Sequence, residues 1–79
     1  MQDEIDEVKK QIKDLEKKID VLDAEIMDAK RKGDRDEVVA LRAKEQQLMA
    51  EKQQLMAKEQ GLRAEKQQLM AKEQELRAK

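Results

Sequence analysis

The side chains able to do chemistry in this 79-residue chain are carboxylates, ammonium groups and guanidinium groups. Histidine, cysteine, tyrosine, tryptophan, serine and threonine are all absent, so nucleophilic and imidazole-based acid–base catalysis lack their usual groups. With neither thiolate nor imidazole, a zinc site has no ligands, and no glycine-rich phosphate loop occurs. The acidic cluster Asp3, Glu4, Asp6 and Glu7 could attract a divalent cation, but on a helix these carboxylates diverge and close no oxygen cage. The stretch Gly33-Asp34-Arg35-Asp36-Glu37 lacks the alternating ligands and central glycine of a calcium loop. No enzyme, catalytic residue, metal site or cofactor is therefore expected. What remains is ion pairing between 19 acidic and 18 basic residues, and its use depends on the elements that carry them.

Those elements are helices built to lie along other helices. A leucine returns at every seventh position from Leu41 through Leu48, Leu55, Leu62, Leu69 and Leu76. A seven-residue return keeps one narrow stripe facing a partner helix. The first part of the chain carries its own stripe, with Ile5, Ile12, Ile19 and Ile26 at position a and Val8, Leu15, Leu22 and Ala29 at position d. Isoleucine at a with leucine at d favours a parallel two-stranded coil, a preference that competes with the break that follows.

Composition agrees with this reading. With 38% hydrophobic and 47% charged residues and no aromatic residue, a globular core is poorly supplied. Disordered chains share the charge but lack the periodic apolar residues, and this chain has no proline and two glycines. The net charge is −1, with residues 1–33 at −2 and residues 34–79 at +1, so neither half offers the basic surface that binds nucleic acid. No apolar run approaches the ~18 residues of a membrane span, and the acidic start lacks the apolar core of a signal peptide. A soluble chain is expected, with no indication of compartment. An amphipathic helix on a membrane surface is disfavoured by the mixed charge and missing aromatics.

The two stripes meet at Gly33. Lys30, Arg31 and Lys32 oppose the negative end of a helix dipole, and Gly33 suits the left-handed residue after a helix. Asp34 can then cap a new helix, with Glu37 three residues on and Val38 beginning its apolar face. Continuing the first frame through Gly33 would put Ala40, Gln47, Gln54 and Gly61 at a and leave the leucines off the seam. Folding back between Gly33 and Asp34 instead opposes residues whose numbers sum to about 67: Leu41 with Ile26, Leu48 with Ile19, Leu55 with Ile12, and Leu62 with Ile5. The expected fold is all-α, a coiled coil of two long helices in an antiparallel hairpin, forming one module over residues 1–79. Its parts are a helix over 2–32, a turn at Gly33 and Asp34, and a helix over 35–78. The alternative is one continuous helix in a parallel dimeric coiled coil.

In the hairpin, Val8, Leu15 and Leu22 face Glu59, Lys52 and Glu45, whose aliphatic stems are expected to cover them only partly. The leucine stripe is edged by Lys44 and Glu45, Glu51 and Lys52, Lys58 and Glu59, Glu65 and Lys66, and Lys72 and Glu73, with the sign order reversing each heptad. Such alternation penalises a one-heptad slip against a partner helix. Glu59 and Glu73 stand four residues before Arg63 and Arg77, which favours pairs within the helix. Met49, Met56 and Met70 take the arginine position in other heptads and read as adaptable packing residues.

The second helix overhangs the first by roughly 20–25 Å at ~1.5 Å per residue. Leu69 and Leu76 on this overhang have no intrachain partner, and with Leu62 at its edge they are expected to meet another chain. Eight or nine apolar contacts at ~1.5–3 kcal/mol each fall short of ordering the chain at about 1.5 kcal/mol per residue, so a homo-oligomer, dimer or higher, is expected. The alternative is a partner helix from another protein.

The repeats LRAKEQQ, LMAEKQQ and LMAKEQG, with the upstream IKDLEKKID and the short GD break, resemble the coiled-coil segments of crinkler-type effectors of oomycetes and fungi. The resemblance covers most of residues 10–79. It implies a connecting or oligomerising segment within a modular protein that has a delivery header and a separate C-terminal effector domain. The family's header motif is not in this sequence, nothing in it resembles a catalytic effector domain, and no functional site carries over.

Overall fold

The computed structural model describes residues 1–78. It contains two helices, α1 (Gln2–Lys32) and α2 (Arg35–Ala78), joined by Gly33 and Asp34 and packed antiparallel. The result is a rod of 70 × 14 × 13 Å. Alanine, leucine, glutamate, glutamine, lysine and arginine dominate both helices and are the residues that lose least on entering a helix. No proline interrupts either one.

The turn is made of backbone chemistry already implied by its residues. Gly33 sits at φ 73° and ψ 20°, the left-handed region. Its N–H donates to the Lys30 carbonyl at 3.1 Å, and the Asp34 N–H donates to the Ala29 carbonyl at 3.0 Å. This pair of bonds is the Schellman arrangement, which satisfies carbonyls that a helix end otherwise leaves free. The Glu37 N–H then donates to Asp34 Oδ1 at 3.1 Å, so Asp34 caps α2. Only this half of a capping box forms, because the Asp34 N–H is already committed to α1.

A Cβ built on Gly33 would touch nothing within 4 Å, so a substitution there meets only the backbone penalty. Gly33→Ala is expected to destabilise the hairpin by about 1–2 kcal/mol, the cost of a left-handed L-residue. Chemical denaturation followed by circular dichroism measures it, and an unchanged midpoint would mean that the turn is not left-handed in solution.

The seam lies where the sum near 67 places it. Ile26, Ala29 and Leu41 form the buried cluster beside the turn, with Leu22 and Val38 packed against it. Ile5, Val8, Leu15 and Ile19 continue the buried row toward the N-terminus. The isoleucine–leucine preference for a parallel coil is overridden. A tethered helix is present at millimolar effective concentration and wins over a second chain for the same stripe.

Val8 and Leu15 are covered more fully than their charged neighbours led us to expect. Val8 is only 2% exposed and Leu15 is also buried, whereas Leu22 is half-buried. Glu45, Lys52 and Glu59 are themselves half-buried, in contrast to the exposed charges around them. Their methylene stems close the seam.

Candidate interaction surface

The charged ends along the seam form the first layer of any surface this rod can offer. Lys52 Nζ stands 3.9 Å from Glu16 Oε1 on the facing helix, and Lys66 donates to Gln2 across the end of the pair. Both contacts join residues whose numbers sum to 68, so these side chains report the same alignment as the apolar seam. Within α2, Arg63 pairs with Glu59 at 3.4 Å and Arg77 with Glu73 at 2.6 Å, both at the favourable spacing of four. Lys32 pairs with Asp28 at 3.1 Å, and the hydrogen bond its ammonium donates to that carboxylate holds it above its ordinary pKa.

One pairing of like charge was not anticipated. The same alignment brings Glu45 to Asp23, and Glu45 Oε2 is buried without a hydrogen-bond partner. The hydrogen bond with Asp23, which exists only when one carboxyl holds a proton, raises the Glu45 pKa above its ordinary 4.5; desolvation and Asp23 charge add to this, and Arg42 opposes it. Adding Asp23 to the number alignment would have found the pair, since 23 and 45 also sum to 68.

A raised folded-state pKa means that the folded form binds the proton more tightly. The stabilisation is present below the unfolded value and is lost as pH rises through the folded one. Through Glu45 the hairpin is therefore expected to lose stability as pH rises from the ordinary 4.5 toward neutral, with a lower melting temperature at neutral pH. Glu45→Gln should raise the neutral-pH melting temperature and flatten this pH dependence. A variant as pH-sensitive as the parent would remove Glu45 from the explanation.

The predicted seam residues fall into two groups. Ile5, Val8, Leu15, Ile19, Ile26 and Leu41 are buried, whereas Ile12, Leu22, Val38, Leu48, Leu55 and Leu62 are half-buried. Burial thus fades along α2 away from the turn. Beyond Leu62 the row opens to solvent, with Leu69 51% exposed and Leu76 73% exposed. Met70 lies beside Leu69 and is similarly exposed. The two helices differ by 13 residues, 44 against 31, which leaves an α2 overhang of about 20 Å.

Val21, Met27 and Val39 are also exposed, though none belongs to the seam. Each stands one position from a seam residue, Leu22, Ile26 or Val38, and so lies off the heptad rows. No helix among the described residues is long and apolar enough to cross a membrane. No protein-family model, curated protein or solved structure matches this chain.

Proposed function

We propose that this chain is a structural self-association module, a preformed hairpin whose remaining leucine row and alternating charges join copies of itself. The observation that carries the reading is the continuation of the intrachain seam into open solvent at Leu69 and Leu76. The exposed row has the same heptad phase as Leu41, which is buried where α1 covers it. Alternating lysine and glutamate beside that row supplies a register signal suited to another helix. The absence of hydroxyl and thiol nucleophiles and of imidazoles from the sequence supports an architectural role over a catalytic one.

Sedimentation equilibrium over a range of concentrations tests this. A mass that rises to a defined multiple of 9.3 kDa is the expected result. A fully helical monomer persisting at high micromolar concentration would remove self-association. That outcome would favour a second reading, in which Leu69 and Leu76 on the overhang, with Leu62 at its edge, receive an amphipathic helix from a different protein.

A further inference from the structure

One flank of the rod carries a charge pattern that complements itself. Two shallow depressions lie on it. The first is formed by Lys17, Lys18 and Lys44 around Val21, Leu22 and Leu48, and Val21 is 58% exposed. The second is acidic, with Asp3, Glu4 and Glu7 around Val8, and Lys58 opposite. Lys18 and Glu4, Leu22 and Val8, and Lys44 and Lys58 are related by two heptads, so both depressions lie on the same flank about 21 Å apart. Along α2 this flank is edged by the exposed row Glu37, Lys44, Glu51, Lys58, Glu65 and Lys72, alternating in sign. Among the described residues, none of these six is in an ion pair.

We propose that this flank docks a second copy of the chain, antiparallel, about a two-fold axis passing between Gln54 and Leu55 of α2. This deepens, and rests on, the self-association proposed above. In that arrangement residues whose numbers sum to 109 face each other across α2. Glu51 meets Lys58, Lys44 meets Glu65 and Glu37 meets Lys72, and the symmetry forms each pair twice. The intrachain alignment carries the same axis to residues 12 and 13 of α1. There it sets Glu7 opposite Lys18, again twice, so the basic depression of one copy lies on the acidic depression of the other.

The alignment is selective. A slip that moves the sum by one heptad, to 102 or 116, opposes like charges along α2, with Lys44 on Lys58 or Glu51 on Glu65. A slip of two heptads restores α2, but then α1 sets either Glu4 against Glu7 or Asp14 against Glu25. Opposed like charges suppress wrong docking more strongly than exposed pairs add affinity.

Gly61 supplies a separate reason for this alignment. It stands in the row of Gln47, Gln54 and Gln68, where a glycine inside a helix is a local weakness. Nothing lies within 4 Å of a Cβ built there, so the hairpin itself does not require it. At a sum of 109 it faces Leu48 of the second copy, where a glutamine would fill the space left for that half-buried leucine. The same alignment runs the overhang along the second copy's turn, with Leu69 beside Ala40 and Leu76 beside Gly33.

The test measures dimer dissociation by sedimentation at low ionic strength, where exposed charges are least screened. Glu51→Lys and Lys58→Glu each turn two attractive contacts into repulsive ones. Each should weaken the dimer roughly tenfold to thirtyfold. Combining them in one chain exchanges the charges across both symmetric contacts and should restore affinity to within a few-fold. Gly61→Gln should raise the helicity of the hairpin while weakening the dimer, two effects of opposite sign that a purely structural role would not produce. All three sites are exposed, and circular dichroism reports whether each variant keeps its fold. Dimers indifferent to the single changes, or not rescued by the pair, would overturn this docking while leaving self-association standing. A wild-type chain that stays monomeric would overturn both.

Discussion

Ile26→Asp is expected to abolish the cooperative melt of the hairpin. Ile26 is buried against Ala29 and Leu41, with Leu22 and Val38 around them, in a cluster to which both helices contribute buried side chains. A chain of 79 residues has about 4–12 kcal/mol of stability at typical values per residue. Exposing the isoleucine's worth of apolar surface removes about 1.5–3 kcal/mol. Desolvating a carboxylate with no cation in the cluster adds several kcal/mol more. The cluster also adjoins the turn, so its loss separates the helices where their pairing begins.

Thermal circular dichroism would then show a lower signal that declines gradually, the remainder coming from the strong intrinsic propensity of α2. Val39→Asp is the matched control. Val39 is a neighbour of the same cluster in sequence but is 69% exposed, and its change should stay within about 0.5 kcal/mol. If Ile26→Asp melts cooperatively within a few degrees of the parent, the buried cluster is not the source of the hairpin's stability.

The architecture was legible because two independent signals in the sequence agree. Because both rows repeat every seven residues, the isoleucine and leucine rows oppose each other in one alignment in seven, a reversal near residues 33 and 34 among them, and the cap chemistry lies at those residues. A continuous helix would carry the stripe centred on Ile26 and Ala29 roughly 120° away from the stripe centred on Val38 and Leu41. No straight partner could cover both. A single left-handed glycine resolves this by turning the second stripe back onto the first. Gly33 thus reconciles two seams that share a period but not a phase.

What was less legible concerns side chains that are neither wholly apolar nor wholly solvated. Heptad patterning classes Glu45, Lys52 and Glu59 as charges edging the leucines, yet they occupy the second row of the α2 seam and are half-buried. Their stems explain why Val8 and Leu15 are buried without an apolar residue opposite each. The same dual character produces the Glu45–Asp23 contact. A residue placed at the seam for its methylenes brings a carboxylate with it, and the facing helix happens to offer another. Pattern reading assigns one property per position, whereas amphipathic side chains in a narrow two-helix seam use two.

The second large effect concerns the part of α2 that α1 does not reach. Replacing Leu69 and Leu76 together by aspartate should leave the hairpin's melting temperature within a few degrees of the parent, because both leucines are exposed and lie beyond the end of α1. Association should fall by more than about a hundredfold, since burying a leucine contributes up to about 1.5–3 kcal/mol and a symmetric dimer would lose each twice. Only part of that surface need be buried for the loss to reach two decades, as ~1.4 kcal/mol is already tenfold. The separation of the two readouts is the point of the experiment. A variant that loses both fold and association would mean that the overhang supports the hairpin itself. One that keeps both would place the self-association elsewhere and leave Leu69 and Leu76 without a role in it. Loss of association with an unchanged melt assigns the exposed end of the leucine row to the contact between copies, the seam of the hairpin continued by a second chain.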